Sequence, residues 1–244
     1  MPAADSTAQP SPARPKGPRE RARAQTIADI ISLGRRHLAE HGAAALSLRA
    51  VARDLGVVSS AVYRYVESRD ELLTLLLIDA YNELGDAVDA AVDAMPPEDY
   101  RGRFLALTGA VRAWAVREPA CYALLFGSPV PGYRAPGERT TEPGTRVIMR
   151  LVRLLDDAQH AAALAPLPNA VVVPDALAAN LAVVRQELGL ELPDELMARG
   201  VLLWTSVFGA VSFEVFGQYG PGTFPAAEEL FGHQMGTLAG LVGL

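Results

Sequence analysis

The chain has 244 residues, and half of them are apolar, so it is long enough to bury a large hydrophobic core. Alanine, leucine and valine are abundant and strand-like alternation is scarce, which predicts an all-α protein. No run of about 18 uncharged apolar residues is present to span a bilayer. The single cysteine, Cys121, excludes an internal disulfide. We therefore expect a cytoplasmic protein that does not bind membranes.

The net charge of −6 conceals an asymmetry along the chain. Residues 1–70 carry a net charge of +4, whereas residues 71–244 carry −10. Lys and Arg supply most of the non-specific affinity of proteins for DNA. A small basic segment followed by a larger acidic one therefore suits a DNA-binding module on a body that does not touch phosphates.

The first 18 residues are rich in Pro, Ala and Ser and are predicted to form a disordered tail. Basic residues cluster where this tail meets the first predicted helix, at Arg14, Lys16, Arg19, Arg21 and Arg23. Two interpretations stay open. The cluster is either an arm that enters a minor groove or a solvated basic tail that attracts DNA without fixed contacts.

Four helices are predicted next, over residues 20–40, 47–55, 59–66 and 69–95. Ser47 and Ser59 are N-cap candidates for the second and third helices, and Gly56 lies in the tight turn between them. Two short helices joined by such a turn form a helix-turn-helix, whose second helix can enter a major groove. Eight polar residues could then contact bases or phosphates: Ser47, Arg49, Ser59, Ser60, Tyr63, Arg64, Tyr65 and Arg69.

The stretches 45–58, 61–66 and 68–73 resemble the DNA-binding domain of the TetR/AcrR family of regulators. The resemblance implies an all-α homodimer with a three-helix DNA-binding head and a C-terminal body that holds an effector pocket and the dimer interface. It also implies that Ser47, Arg49, Ser59, Ser60 and Tyr63 contact DNA, and that Tyr65 and Arg69 contact phosphates. The implied division is a tail over 1–18, the DNA-binding domain over 19–68 and the body over 69–244.

One residue departs from the family pattern. Val58 stands at the turn, where family members often have a polar residue, so the resemblance implies no phosphate contact from this side chain. Later residues, including Trp114, Tyr122 and Tyr133, resemble the C-terminal domain of one actinobacterial branch of the family. The resemblance implies a sequence-specific regulator, most often a repressor that a small-molecule effector releases from a palindromic operator in double-stranded DNA.

The rest of the chain is predicted to be helical over residues 100–117, 119–126, 142–163, 174–188, 193–216 and 226–241. Residues 127–140, rich in Pro and Gly, are predicted to form a loop. Residues 196–216 and 230–244 are apolar on more than one face, which favours a dimer interface over an isolated core helix. Arg112, Arg117 and Glu118 are expected at the surface.

Several aromatic residues of the predicted body could line an apolar pocket. For each one taken alone, an ordinary core position is the alternative. The candidates for ligand binding are Trp114, Tyr122, Phe126, Trp204 and Phe208.

Catalytic and metal-binding patterns are not found in the sequence. The four histidines lack a second ligand at helical spacing, and no phosphate loop or nucleophile elbow occurs, so no metal, cofactor or enzymatic activity is expected. Cys121 fits a buried thiol better than a redox sensor. Two other functions are alternatives. A helical enzyme or carrier whose head is a relic is disfavoured by the intact polar surface of the head, and an architectural DNA binder is disfavoured by the acidic body.

Overall fold

The computed structural model of the chain describes residues 17–167 and 171–244. Within those ranges it contains helices and turns but no strand, and the predicted all-α class is confirmed. The helices are α1 (Pro18–His41), α2 (Leu48–Asp54), α3 (Ser59–Tyr63), α4 (Arg69–Asp93), α5 (Tyr100–Arg117), α6 (Pro119–Phe126), α7 (Gly137–His160), α8 (Asp175–Leu188), α9 (Asp194–Val215) and α10 (Ala227–Leu241), with a 3₁₀ turn at Ala43–Ala45.

Helix α1 begins at Pro18, which is two residues earlier than predicted and inside the predicted tail. Pro18 is the first residue of α1, with Gly17 as its N-cap, so the basic residues 19, 21 and 23 lie on a helix and not on an extended arm. Proline suits this position because the first helical N–H has no intrahelical partner. Residues 1–16, which include Arg14 and Lys16, lie outside the described part of the chain.

Helices α1 to α3 and the beginning of α4 form a small unit, called here the head. Two glycines with positive φ, Gly42 (75°) and Gly56 (72°), allow the sharp turns after α1 and α2. The apolar faces of the four helices close on one cluster of buried side chains: Ile30, Leu46, Leu48, Val51, Ala52, Val62, Val66, Leu72, Leu73 and Leu76. The polar faces of α2 and α3 are thereby left toward solvent.

Helix α4 connects the head to the rest of the chain, called here the body. Its N-terminus is capped by Ser68, whose hydroxyl accepts a hydrogen bond from the backbone N–H of Glu71 at 3.0 Å. Its first turns contribute Leu72 and Leu76 to the head cluster, whereas Leu84 and Val88 pack in the core of the body. Apolar side chains of one continuous helix thus belong to the cores of both the head and the body.

Helix α7 begins earlier than predicted. It starts at Gly137 and contains Pro143, whereas the sequence placed residues 137–140 in a loop. The first turn is held to α4 by Arg139, which donates two hydrogen bonds to the Glu71 carboxylate at 2.7 and 3.0 Å. Thr140 donates its hydroxyl proton to the carbonyl of Pro136 at 2.9 Å. These local and tertiary bonds offset the helix-breaking effect of the proline.

The last two helices, α9 and α10, are apolar but incompletely covered. Within the described residues, α9 is the one helix long and apolar enough, by length and composition, to cross a membrane, yet only a third of that window is buried in the protein. Val201, Leu202 and Phe213 on α9 are 55%, 49% and 47% exposed. An apolar surface of this kind is typical of a protein–protein interface.

Candidate nucleic-acid interface and its link to the body

The turn between α2 and α3 brings the predicted DNA-contacting residues to one end of the head. Ser47 is the N-cap residue of α2, as predicted, but its side chain makes no capping hydrogen bond. The prediction that Ser59 is the N-cap of α3 is wrong. Val58 takes the N-cap position in extended conformation, and Ser59 is the first helical residue. Gly56, with a φ of 72°, lies in the turn two residues before this N-cap.

Four of the eight predicted contact residues are exposed to solvent, and the other four are half-buried. Tyr63 is 44% exposed, and Val58 at the turn is 70% exposed. Arg49, Ser60 and Arg64 are also exposed, whereas Ser47, Ser59, Tyr65 and Arg69 are half-buried. Hydroxyls and guanidinium groups at the start of a short helix are the groups that contact base edges and phosphates.

Two of the eight residues make contacts within the head. Arg69 donates hydrogen bonds to the carbonyls of Ala43 and Ala44, at 3.0 and 3.2 Å, and so ties the start of α4 to the turn after α1. The guanidinium of Arg23 lies 5.5 Å from the ring centroid of Tyr65, a cation–π distance. Arg69 therefore has a structural role that the sequence did not reveal.

A cluster of ion pairs joins the head to the body. Arg35 on α1 lies 3.0 Å from Asp79 and 3.0 Å from Glu118, and it also pairs with Glu83. Burial opposes the charge of Arg35, but the carboxylates outweigh it and raise the pKa of the guanidinium. Burial would raise the pKa of Glu83, yet the Arg35 hydrogen bond and charge prevail and lower it. Arg117 adds a further hydrogen bond to Glu83 at 3.2 Å.

The loop between α6 and α7 makes a second link. The hydroxyls of Tyr133 and Thr74 lie 2.9 Å apart, and Thr74 already donates its proton to the carbonyl of Asp70, so Tyr133 is the donor. Val130 and Tyr133 pack against the apolar cluster of the head. Sequence reasoning placed these residues in a loop and assigned them no contact, because nothing local in the sequence indicates which helix a loop touches.

The aromatic candidates for ligand binding lie in the body. The rings of Tyr122, Phe126, Phe208 and Trp204 follow one another at centroid distances of 5.1, 4.5 and 4.2 Å. This chain of contacts is called here the aromatic cluster. Phe126, Trp204 and Phe208 are half-buried, whereas Tyr122 is fully buried and donates a hydrogen bond to the carbonyl of Phe208 at 3.1 Å.

Trp114 is fully buried in the same core. A cavity of about 400 Å³ lies near the cluster, with Arg35, Glu118, Cys121 and Phe216 among its lining residues. The ring of Phe216 is 5.8 Å from that of Tyr122, so the cavity adjoins both the aromatic cluster and the ion pairs of Arg35. Cys121 is buried, and burial raises the pKa of its thiol to about 11.

The expected surface positions of Arg112, Arg117 and Glu118 are wrong in part. Arg112 is only 15% exposed and donates two hydrogen bonds to Glu214 of α9, at 2.8 and 2.7 Å. Glu118 is drawn inward by Arg35, and Arg117 stays half-exposed. Arginine is often paired across helices in this way, and a single sequence does not show the partner.

Comparison with known proteins agrees with this architecture. Residues 30–76 match the family model for bacterial regulatory proteins of the tetR family, and residues 104–238 match the tetracycline repressor-like C-terminal domain, which is more than half of the chain. The chain belongs to the TetR family of transcriptional regulators. The predicted resemblance is therefore confirmed, as is the function of a helix-turn-helix regulator of transcription.

Similar TetR-family proteins are found in actinobacteria and beyond. The chain is 48% identical over 216 residues to the HTH-type transcriptional regulator Rv1816 of Mycobacterium tuberculosis, which spans 84% of this chain and 86% of that protein. The crystal structure of the regulatory protein SCO4313 superposes with a TM-score of 0.74 at 34% identity, over 92% of this chain and 100% of that one. A Thermus thermophilus TetR regulator, PfmR, shares the fold at a TM-score of 0.52 and 16% identity.

Proposed function

We propose that this TetR-family regulator is a homodimeric repressor that binds a palindromic operator through α2 and α3 and is released by a small-molecule effector bound in the body. The observation that carries this proposal is the exposed polar surface of α2 and α3 on a head that is bonded to the body through Arg35, Tyr133 and Arg139. We keep residues 19–68 as the DNA-binding domain and 69–244 as the ligand-binding and dimerisation domain. We expect a cytoplasmic, non-enzymatic protein that needs no cofactor.

The side chains of the head suggest a division of labour on DNA. Ser59, Ser60 and Arg64 are proposed to face base edges from α3, where a guanidinium can bind guanine in a bidentate manner. Tyr63 and Tyr65 are proposed to donate to phosphates, with Arg69 contributing charge from the start of α4. Ser47 and Arg49 are proposed to contact the backbone from α2. Because Arg69 also holds two carbonyls of the head, it would position the head as well as bind phosphate.

The apolar surface of α9 and α10 is the proposed dimer interface. A groove of about 480 Å³ runs between these helices, with Gly209, Phe213 and Leu238 among its lining residues. Phe213 is 47% exposed, which is costly for a large aromatic side chain in a monomer. A second copy packed on this face would bury it in a self-complementary, two-fold interface.

The contacts between head and body are the proposed route for regulation. Two heads must lie roughly 34 to 36 Å apart to enter successive major grooves, so a small rotation of α4 weakens both contacts. Arg35 joins α1 to α4 and to the start of α6, and Tyr133 joins the α6–α7 loop to α4. An effector that binds the rotated state more tightly would shift the equilibrium toward release.

The aromatic cluster is the proposed effector region. Its rings favour an apolar or aromatic molecule, and the adjoining 400 Å³ cavity falls within the size range of small-molecule sites. The five predicted ligand-binding residues are not among those that line this cavity. We propose that a bound effector displaces Phe216, which lies between the cavity and Tyr122, and so reaches Tyr122, Phe126, Trp204 and Phe208, with Trp114 on the core side.

Trp204 provides the test of effector binding. In a Trp114→Phe variant, Trp204 is the sole tryptophan, so quenching of its fluorescence by a panel of aromatic compounds reports on the cluster alone. The proposal predicts that a compound that quenches Trp204 also lowers the affinity for operator DNA, measured by fluorescence anisotropy. Compounds that bind Trp204 tightly without any change in DNA affinity would contradict the effector role of the cluster. Trp204→Phe serves as the matched control.

A further inference from the structure

Helix α8 carries an apolar stripe that the protein leaves largely uncovered. Leu177, Leu181, Val184 and Leu188 follow one another at spacings of four, three and four residues and therefore share one face of the helix. Only Leu181 is buried, in the core of the body, whereas the other three are 41%, 42% and 36% exposed. A stripe of this kind is unfavourable in water unless another surface covers it.

The segment before α8 extends the same surface. Val171 and Val172 are 70% and 89% exposed, and the backbone N–H of Val171 donates to Glu195 of α9 at 3.0 Å. Together with Leu177 of α8, Leu202 of α9 and Leu241 of α10, these valines line a groove of about 370 Å³. This groove is called here the α8 groove, and its lining is predominantly apolar.

The α8 groove continues the proposed dimer interface along α9. Ala198 and Leu202 line the α8 groove, and Ser206, Gly209 and Phe213 line the groove between α9 and α10. These five positions are separated by three or four residues, so they form one stripe along a single face of α9. The two grooves therefore lie end to end on the same side of the protein, and a surface that covers one is positioned to reach the other.

We infer that α8 and residues 171–174 form an arm that packs against a second copy of this chain, beyond the α9–α10 interface. This inference rests on the proposed homodimer, because continuity with that interface identifies the occupant. In a two-fold dimer the contact is made twice, once by each arm. Burial of the α8 stripe would then add apolar area to the interface at two symmetric places.

Two adjacent residues of α8 offer a matched test. Val184 lies on the stripe and Val183 lies about 100° away around the helix, yet both are exposed, at 42% and 56%. Sedimentation equilibrium of the full chain measures the dissociation constant of the dimer for Val184→Glu and Val183→Glu. Val184→Glu is expected to raise it by roughly tenfold to hundredfold, because the charge enters the interface twice. Val183→Glu is expected to leave it within about twofold, as for surface substitutions elsewhere.

Leu188→Glu tests a second residue of the same stripe by the same measurement of the dimer dissociation constant. Far-UV circular dichroism checks that each variant is folded. Equal dissociation constants for wild type, Val184→Glu and Leu188→Glu would overturn the arm while leaving the proposed dimer intact. A monomeric wild type would instead overturn the dimer itself. The apolar dye 1-anilinonaphthalene-8-sulfonate tests the alternative that the groove binds a ligand. If the wild-type dimer binds the dye, and Val184→Glu abolishes that binding without a change in dimer affinity, the surface is a ligand groove and the proposed arm is overturned.

Discussion

The head and the body differ in where their functional side chains lie. In the head, the eight predicted contact residues fall between residues 47 and 69, and four of them are exposed to solvent. In the body, the aromatic cluster brings together α6 and α9, which are about 80 residues apart in the chain, and packs ring on ring. The function of the head thus depends on local sequence, whereas that of the body depends on long-range packing. Substitutions can test whether the two regions are in fact separable.

The largest expected effect is the loss of operator affinity when the body no longer joins two heads in a dimer. Gly209→Glu places a charge in the α9–α10 groove, where an added Cβ meets no atom within 4 Å in the single chain. The protomer should therefore fold, but the dimer should not form. Loss of the second head should weaken operator binding by about 100-fold or more, because both half-sites then no longer bind together. Light scattering and fluorescence anisotropy measure the two effects.

A second glycine provides the control for this substitution. Gly109 is exposed on α5 and also has open space around an added Cβ. Gly109→Glu should leave both the mass and the operator affinity unchanged. A Gly209→Glu protein that stays dimeric would place the interface on another face of the body.

The next largest effect is expected at the junction of the two regions. Arg35→Met leaves Asp79, Glu83 and Glu118 without their shared cation and should lower the free energy of unfolding by about 2 kcal/mol at pH 7, between the values for exposed and buried pairs. Arg36→Met is the matched control on the same helix. Arg36 is 53% exposed and pairs with Asp54, so about 0.5 kcal/mol is expected. Chemical denaturation measures both, and equal losses would contradict a special role for Arg35.

The contribution of the same junction to the free energy of unfolding should depend on pH. Arg35 lowers the pKa of Glu83 in the folded protein, so this contribution is present above the ordinary glutamate pKa of 4.5 and is lost as the pH falls through the folded value. The difference in unfolding free energy between wild type and Arg35→Met should therefore be largest near neutral pH and shrink below about pH 4.5. A difference that is constant from pH 7 to pH 3 would contradict the assignment.

A moderate effect is expected within the head. Tyr63→Phe removes one exposed hydroxyl and should weaken operator binding about tenfold, the value of one hydrogen bond to a charged group. The loss should be similar for all DNA sequences if the hydroxyl binds phosphate. Tyr100→Phe on α5 is the control and should change nothing. A loss confined to specific operators would instead assign Tyr63 to base recognition.

The smallest effect is expected at the second link. Tyr133→Phe removes the hydrogen bond to Thr74 and should cost about 1 kcal/mol of stability. A double-mutant cycle with Thr74→Val isolates the pairwise energy, which should be about 0.5–1 kcal/mol. An interaction energy near zero would show that the loop is held by Val130 and its apolar neighbours alone.

The sequence predicted the fold class and the order of the helices, because helix periodicity, glycine turns and prolines are local features. It predicted α5 and α6 to the residue. It missed the first turn of α7, which the pairing of Arg139 with Glu71 stabilises over a distance of 68 residues. It also missed the Arg35 and Arg112 ion pairs and the second role of Arg69, since a charged residue in isolation gives no sign of its partner.

Sequence-specific DNA binding by the head can be measured by selective enrichment of genomic double-stranded DNA with the purified protein at about 0.15 M salt. The genomic pool should include the region around the protein's own gene. We expect enrichment of a palindromic site whose half-sites lie about 10 base pairs apart, centre to centre, or a multiple of that distance. Enrichment of no sequence above the non-specific background would contradict the assignment of the head as a sequence-specific DNA-binding module.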